Sequence, residues 1–555
     1  MIKTRTCRRV VATLAVGLLA AGVGACSSGG SKAGSSGGKA TGAQLIIAGS
    51  SLNSISDTFS PYSPTSASLQ TNSEGLIYEP LIQFNAVAPP ANTPWLATGY
   101  TWADGGKTIT FTIRKGVKWS NGTPMTPADV AFTYNLMKTN PAMNVNGLKL
   151  NSVTTSGDTV TLTFPTPQYT NLETIAGQTY ILPKSIWASQ SSPQTFADPQ
   201  PVGTGPYMLA SFTGQGFELK KNPYYWQPVS VPSIFYPVYT SGPTAINALG
   251  SGQIDWSSQF IPNIEKEYTS KSPDNHYWMA PTGTNYLIPN LNTWPTNQLP
   301  VRQAISAALD RSLIASEGES GLETATSNAS GLTLPTYQAW AGPVSNLTLS
   351  ANPDPASAKQ ILQSAGYTLG SNGFFQKGGK TVSLTIIDPA SFSDYALSDT
   401  LIATELKAAG IDATFQGIST QSWTTDIASG NFQLSLHWSL GTGNPYNLYY
   451  NWLDSALING SNTAGDFERL NNPTIDSELT AVAATEGTTA QATALAPVEK
   501  YVAANLPVIP TTGSAGWFEY STAKYTGWPT PSNPYDLGEP ISPSLEVVIL
   551  HLKPA

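Results

Sequence analysis

Chemistry needs particular side chains at particular spacings, and this sequence offers few such sets. Its 3 histidines, His276, His437 and His551, are far apart and match no paired metal-ligand spacing. A metal centre is therefore not expected, nor is a cofactor, and His437 reads first as a packed structural histidine. The Gly-x-Ser-x-Gly match at Gly34 to Gly38 has no strand before it and no helix after it, so it is not a nucleophile elbow. No Gly-rich phosphate loop with a following Lys occurs, so the chain itself is not expected to hydrolyse ATP. Two carboxylates placed for glycoside hydrolysis would meet only in space, and with 35 acids their mere presence decides nothing. Tryptophan is more telling. Of 14, several lie among Gly, Asn, Ser and Thr: Trp256, Trp294, Trp340, Trp423, Trp438, Trp452, Trp517 and Trp528. A flat ring with an N–H suits stacking on a sugar face or a peptide side chain, which points to an organic ligand in a large groove.

The chain around these residues is a long exported one. Lys3, Arg5, Arg8 and Arg9 precede an apolar run, Val10 to Ala25, too short and small-residue-rich to span a membrane comfortably. The run ends in Val23-Gly24-Ala25-Cys26, which resembles a bacterial lipobox. The resemblance implies that residues 1–25 are a lipoprotein signal peptide, that cleavage precedes Cys26, and that Cys26 carries the lipid. Arg8-Arg9 leaves twin-arginine export open beside the general route. Residues 26–44 then form the lipidated Cys and a Gly/Ser tether, a flexible coil with a reach of roughly 20 Å. Cys7 leaves with the signal peptide, so no disulfide is expected. No later apolar stretch reaches membrane-spanning length, so contact with the membrane is expected through the anchor only. Only 11 % of residues are charged, the net charge is −8, and no basic stripe follows residue 10. Nucleic-acid binding is therefore not expected.

With 555 residues the chain has room for three or four structural units. Both periods occur, so mixed α/β structure is expected. Lys107 to Arg114, Thr159 to Phe164, and Val382, Leu384 and Ile386 alternate as half-buried strands do. Thr126-Pro127-Ala128-Asp129 reads as an N-cap, an N1 proline and a capping-box acid, with Val130, Tyr134 and Met137 on one face. Further helices are expected over Pro300 to Ser316, from Asp354-Pro355 to a stop at Gly366, and from Ser393 to Ala409, ended by Gly410.

Several segments resemble the bacterial extracellular solute-binding proteins of family 5, the peptide-, nickel- and oligosaccharide-binding receptors of ABC importers. They are Pro94-Trp95-Leu96-Ala97, Thr110 to Pro124, Thr126 to Phe132, Gly203-Thr204-Gly205-Pro206-Tyr207 and Lys221-Asn222-Pro223-Tyr224-Tyr225-Trp226. Ser251 to Asp255, Val301-Arg302-Gln303-Ala304 through Asp310-Arg311, Ala365-Gly366-Tyr367, Gly410-Ile411-Asp412 and Leu506 to Pro510 continue the series in family order. The resemblance implies an α/β, two-lobed periplasmic-binding-protein type II fold with an extra inserted domain. Lobe one would take 45–83, 200–288 and 505–555, the inserted domain 84–199, and lobe two 289–504. It implies no enzyme. The chain would be an extracytoplasmic, anchored monomer that captures an oligosaccharide or oligopeptide and delivers it to ABC permease subunits served by a separate ATPase. A cell-surface hydrolase and a ligand sensor without transport stay open as alternatives.

Peptide-binding members carry an acid three residues after the Trp in the stretch that Trp438 to Pro445 resembles. Here that position is Gly441, and Asn444 stands where a second Asp is common. Neutral groups suit a hydroxyl-rich ligand, so an oligosaccharide, β-linked, is preferred to an oligopeptide without excluding it. Gly527-Trp528-Pro529 and Asn533-Pro534-Tyr535 resemble the oligosaccharide branch too. Stacking is expected from Trp256, Trp423, Trp438 and Trp517, and hydrogen bonds from Asn290, Asn444, Tyr446 and Glu79.

Overall fold

The computed structural model describes residues 42–555 except 50, 51, 53, 440–442, 461, 462 and 464. The expected signal peptide, Cys26, most of the expected tether and Gly441 lie outside these residues. Two larger sheets and a smaller one carry the fold. A seven-stranded sheet runs in the order Asn275–Tyr277, Glu519–Ser521, Trp256–Ser257, Leu45–Ala48, Ser233–Pro237, Gly216–Lys221, Tyr207–Thr213. Its three central strands are parallel, Leu45 facing Ile234 and Ile47 facing Trp256. A five-stranded sheet runs in the order Asp412–Ile418, Ser383–Pro389, Leu434–Trp438, Ala280–Pro289, Ile509–Gly516. The first three strands are parallel and the last two antiparallel.

Period-2 alternation assigns the faces of the five-stranded sheet. Leu287 packs under the helices Leu299–Ala308, Pro355–Ser364 and Ser393–Ala408. Its neighbours Tyr286 and Ile288 pack under Tyr446–Leu453, Pro473–Ala483 and Thr488–Asn505. The sheet is thus covered on both sides, as a mostly parallel sheet must be.

The expected strands at 107–114 and 159–164 form as Thr108–Ile113 and Thr159–Thr163, neighbours in a four-stranded antiparallel sheet. Ile109, Phe111, Val160 and Leu162 point inward into one core that continues to Leu45, Ile234 and Trp256 of the seven-stranded sheet. The helix Pro127–Thr139 begins where expected, with the Thr126 N–H donating to Asp129 Oδ2 at 2.9 Å.

The helix expected over Pro300 to Ser316 is shorter. It spans Leu299–Ala308, and Leu309 is extended. Asp310 is the cause: its Oδ1 accepts the Leu313 N–H at 2.9 Å and opens a new turn, Arg311–Leu313, followed by a π-turn at Ile314–Gly318. The break lets the buried Arg311 turn inward and donate from Nε to Pro510 O at 2.8 Å. Arg302 does the same one element earlier, donating from Nε to Leu506 O at 3.0 Å. Both guanidiniums therefore fix the entry and first residues of the long strand Ile509–Gly516.

Candidate ligand cleft

In open α/β sheets the crevice beyond the carboxyl ends of the parallel strands is where ligands sit, because loops diverge there and backbone groups are left to be used. In the five-stranded sheet those ends are Pro389, Ile418 and Trp438. Aromatic residues gather at this edge. The Trp438 ring lies 6.0 Å from Trp423 at 20° and 4.5 Å from His437 at 17°, so the three rings stack. Phe392 meets Trp423 at 6.1 Å and Trp438 at 6.3 Å, edge to face, and Tyr395 lies 6.3 Å from Trp438. Trp438 is half-buried. Trp423 is buried, and its Nε1–H is spent on Ser435 Oγ at 2.9 Å, so it supports Trp438 from behind. Burial pulls the His437 imidazolium down to a pKa of about 4, and Nδ1 sits 2.7 Å from Trp438 O. A neutral His437 is a stacking partner at pH 7, as expected of a structural histidine.

The neighbourhood of Trp438 is polar. Asn285 pairs with Trp438 across the sheet. Its Nδ2 donates to Glu323 Oε2 at 2.7 Å, and Thr512 Oγ1 donates to the same oxygen at 2.7 Å. Burial pushes Glu323 up to about 8. The sequence singled out none of Asn285, Glu323, Phe392 or Tyr395. They come from three separate segments, Phe392 and Tyr395 sharing the start of the helix Ser393–Ala408, and no spacing links those segments.

Asn444 and Tyr446 lie just past this edge. Asn444 Oδ1 accepts the Tyr446 N–H at 2.8 Å and its Nδ2 donates to Gln491 Oε1 at 2.8 Å. Tyr446 is buried and stacks on Tyr450 at 5.7 Å. Next to them Gly443 donates its N–H to Glu173, beside Phe84. Residues 84 and 173 belong to the part of the chain built on the first core, so this loop bridges the two halves of the molecule. A Cβ at Gly443 would lie 3.1 Å from Phe84 and 3.2 Å from Glu173, which is why the close approach suits glycine.

The carboxyl edge of the seven-stranded sheet is also hollowed. A pocket of about 100 Å³ there is lined by Ala48, Asn72, Tyr239, Ser258 and Glu539, among others. Ser258 Oγ donates to Glu539 Oε1 at 2.7 Å. Trp517, half-buried, follows the strand Ile509–Gly516 and packs edge-on against Phe260 at 5.3 Å.

The other three residues named from the sequence are placed elsewhere. Trp256 is 0 % exposed in the first core, with Nε1 donating to Gly538 O at 2.8 Å. Asn290 is buried and fully engaged: Nδ2 donates to Gly430 O and Phe432 O, and Oδ1 accepts from Asn292 N. Glu79 is buried, its Oε1 accepting from Trp95, Tyr225 and Trp226, and burial pushes it up to about 7. Of the eight tryptophans in polar sequence, Trp256, Trp340, Trp423, Trp452 and Trp528 are buried, which corrects the view that such a setting marks a surface ring.

Comparison with known proteins agrees with this architecture. The model for bacterial extracellular solute-binding proteins, family 5 Middle, matches residues 92–460. A nickel-binding periplasmic protein of Escherichia coli strain K12 is 25 % identical over 445 residues, 76 % of this chain and 80 % of the relative. Protein XP55 of Streptomyces lividans is 27 % identical over 423 residues, 72 % of each chain. A periplasmic oligopeptide-binding protein of an oligopeptide ABC transporter from Thermotoga maritima superposes with a TM-score of 0.84 at 24 % identity, covering 92 % of this chain and 99 % of that one. Its mannohexaose-bound form superposes at 0.77 with 25 % identity, covering 92 % and 98 %. With a family match over most of its length and a fold shared across 92 % of it, the chain belongs to the bacterial extracellular solute-binding proteins of family 5, non-enzymatic extracytoplasmic receptors of ABC importers.

Proposed function

We propose that this receptor captures an oligosaccharide or an oligopeptide between the carboxyl edges of its two larger sheets and hands it to permease subunits driven by a separate ATPase. The carrying observation is the aromatic shelf of Trp438 backed by Trp423 and His437, a flat apolar surface that fits a sugar face or a peptide side chain. The mannohexaose-bound relative supports the first ligand class, and the oligopeptide-binding protein OppA of Bacillus subtilis, 26 % identical over 264 residues, supports the second. The bridge from Gly443 to Glu173 supports a form closed over its ligand. Division into two lobes with 84–199 inserted is part of the same reading, with the expected bounds of 45–83, 200–288 and 505–555 against 289–504 shifted, since the strands Ala280–Pro289 and Ile509–Gly516 belong to the five-stranded sheet and go with 289–504.

A panel of β- and α-linked oligosaccharides and of di- to pentapeptides tests it by thermal shift and tryptophan fluorescence. A bound ligand at 100 times its Kd adds about 2.7 kcal/mol to the folded state and should raise Tm visibly. A panel without a single shift would count against capture of either class.

The anchor is a separate proposal, motivated by the lipobox-like Val23-Gly24-Ala25-Cys26. Lipidated Cys26 would hold the receptor at the outer face of the cell membrane. The Cys26→Ser protein should leave the membrane fraction for the soluble one. Continued membrane retention of that variant would rule the anchor out.

A further inference from the structure

The two halves of the molecule meet where Gly443 approaches Glu173. Glu173 is half-buried in the short helix Leu172–Ala176, whose Ile175 and Ala176 pack in the first core. Gly443 lies beyond the strand Leu434–Trp438, in the half built on the five-stranded sheet. Its N–H donates to Glu173 Oε2. The buried Phe84 ring fills the space beside this bond. A Cβ on Gly177 would meet one edge of that ring at 2.6 Å, and a Cβ on Gly443 the other at 3.1 Å. Gly443 is outside the left-handed region, so what its glycine answers to is this close approach. A second contact joins the same halves. The helix Pro473–Ala483 packs against the turn Tyr169–Asn171, and Glu486 reaches the Tyr169 hydroxyl.

What Glu173 faces decides the charge it can carry there. The strand Ile82–Phe84, packed on its helix, holds no ionisable group. The turn Tyr169–Asn171 holds Tyr169 alone. The helix Pro473–Ala483 beyond that turn holds Asp476 and Glu478, and Asp476 is engaged by Ser455. None of these is a cation, and the ion pairs among the described residues, Lys115–Asp158, Lys266–Glu267 and Lys524–Asp255, are elsewhere. An ionised carboxyl here exchanges water for one N–H and a ring edge, which leaves its charge poorly solvated. Burial pushes Glu173 up to about 7, with the Gly443 N–H pulling the other way. When the halves part, Gly443 withdraws and the carboxyl returns to water and to the ordinary carboxyl range.

We propose that Glu173 and Gly443 form a proton-coupled clasp, so that closing the receptor draws a proton onto Glu173. This rests on the capture and closure proposed above and adds their regulation. The sign follows from linkage. A carboxyl whose pKa rises on closure takes up a proton, so closure is favoured at pH 6 and weakened as pH rises through about 7. The receptor therefore holds its ligand more tightly on the acid side and releases it more readily on the alkaline side.

Calorimetric titration of the intact protein at pH 6 and pH 8, with mannohexaose and tetra-alanine as probes, tests it. The probe that binds should do so about tenfold more tightly at pH 6. Binding at pH 6.5 should also take up protons, read as heats that vary with buffer ionisation enthalpy. In Glu173→Gln, which keeps an acceptor and cannot ionise, affinity should be nearly the same at both pH values. Gly443→Val should weaken binding about tenfold at both, with the Tm of the ligand-free protein unmoved, because its side chain meets Phe84 only on closure. Equal wild-type affinity at the two pH values, or a pH dependence retained in Glu173→Gln, would overturn the clasp and leave the receptor reading standing. Binding of neither probe would count against the receptor reading, and the clasp is then decided without ligand. Spin labels on Thr155→Cys and Thr404→Cys, both exposed positions, should lie closer together at pH 6 than at pH 8 in the wild-type background and not in Glu173→Gln. A separation indifferent to pH would overturn the clasp.

Discussion

Trp438→Ala should weaken ligand binding by roughly 30-fold, equivalent to about 2 kcal/mol, while the protein stays folded. The asymmetry follows from where the two stacked tryptophans sit. Trp438 is half-buried at the end of its strand, so truncation removes ring face from the cleft but opens only part of a cavity. Trp423 is 5 % exposed with its N–H satisfied by Ser435, so Trp423→Ala leaves a buried void and removes a buried hydrogen bond. That second change should cost stability first, about 3–5 kcal/mol. Trp438→Phe keeps a smaller face and should fall between wild type and alanine in affinity. Fluorescence titration and thermal melts on the three variants read both quantities. If Trp438→Ala lowers Tm but leaves Kd within about twofold, the ring is packing and the cleft lies elsewhere.

Local signals made most of the elements legible, and distance in the chain hid most of the site. Ile109, Phe111 and Ile113 announce their strand by alternation alone, and Thr126 with Asp129 announces a helix start, because both are settled within a few residues. The helix from Pro300 was read too long because its apolar stripe continues past Ala308. What ends it is a competing cap from Asp310 and the inward turn of Arg311 toward Pro510, some 200 residues on. Trp256 misled for the same reason. Its neighbours Ser257, Ser258 and Gln259 are polar, yet its strand sits between Leu45–Ala48 and Glu519–Ser521 in the middle of a sheet. Trp438 is half-buried where its strand ends, so its polar flanks and its place at the sheet edge do coincide. Glu173 and Gly443 gave no signal, since residues 270 apart in the chain meet only when the two halves of the molecule come together.

The ligand-free protein should be more stable at pH 5 than at pH 8, with Tm falling by about 5 °C or more between them. Glu74, Glu79 and Glu546 are all buried in the first core. Burial pushes Glu74 and Glu79 up to about 7, and burial, followed by the nearby Glu79, Glu74 and Asp536, pushes Glu546 up as well. Asp536 reaches about 7, and Glu499 and Asp466 about 8, each chiefly through burial. A carboxyl whose folded pKa exceeds its unfolded value binds its proton more tightly when folded. Its favourable contribution is whole below the ordinary carboxyl range and is lost as pH rises through about 7 to 8. The usual opposing effect, acid loss of ion pairs, is small here, because two of the three among the described residues are exposed. Glu546 locates the effect. Both of its oxygens lack partners, and a Cβ on Gly75 would sit 1.5 Å from Oε1, so the Gly75 backbone packs directly on the carboxyl. Glu546→Gln keeps the shape and removes the ionisation. It should raise Tm at pH 8, change it little at pH 5, and so flatten the slope. A wild-type Tm that peaks at pH 7 to 8, or a slope unaltered by Glu546→Gln, would mean that these carboxyls meet a cation or water inside the core and ionise there without cost.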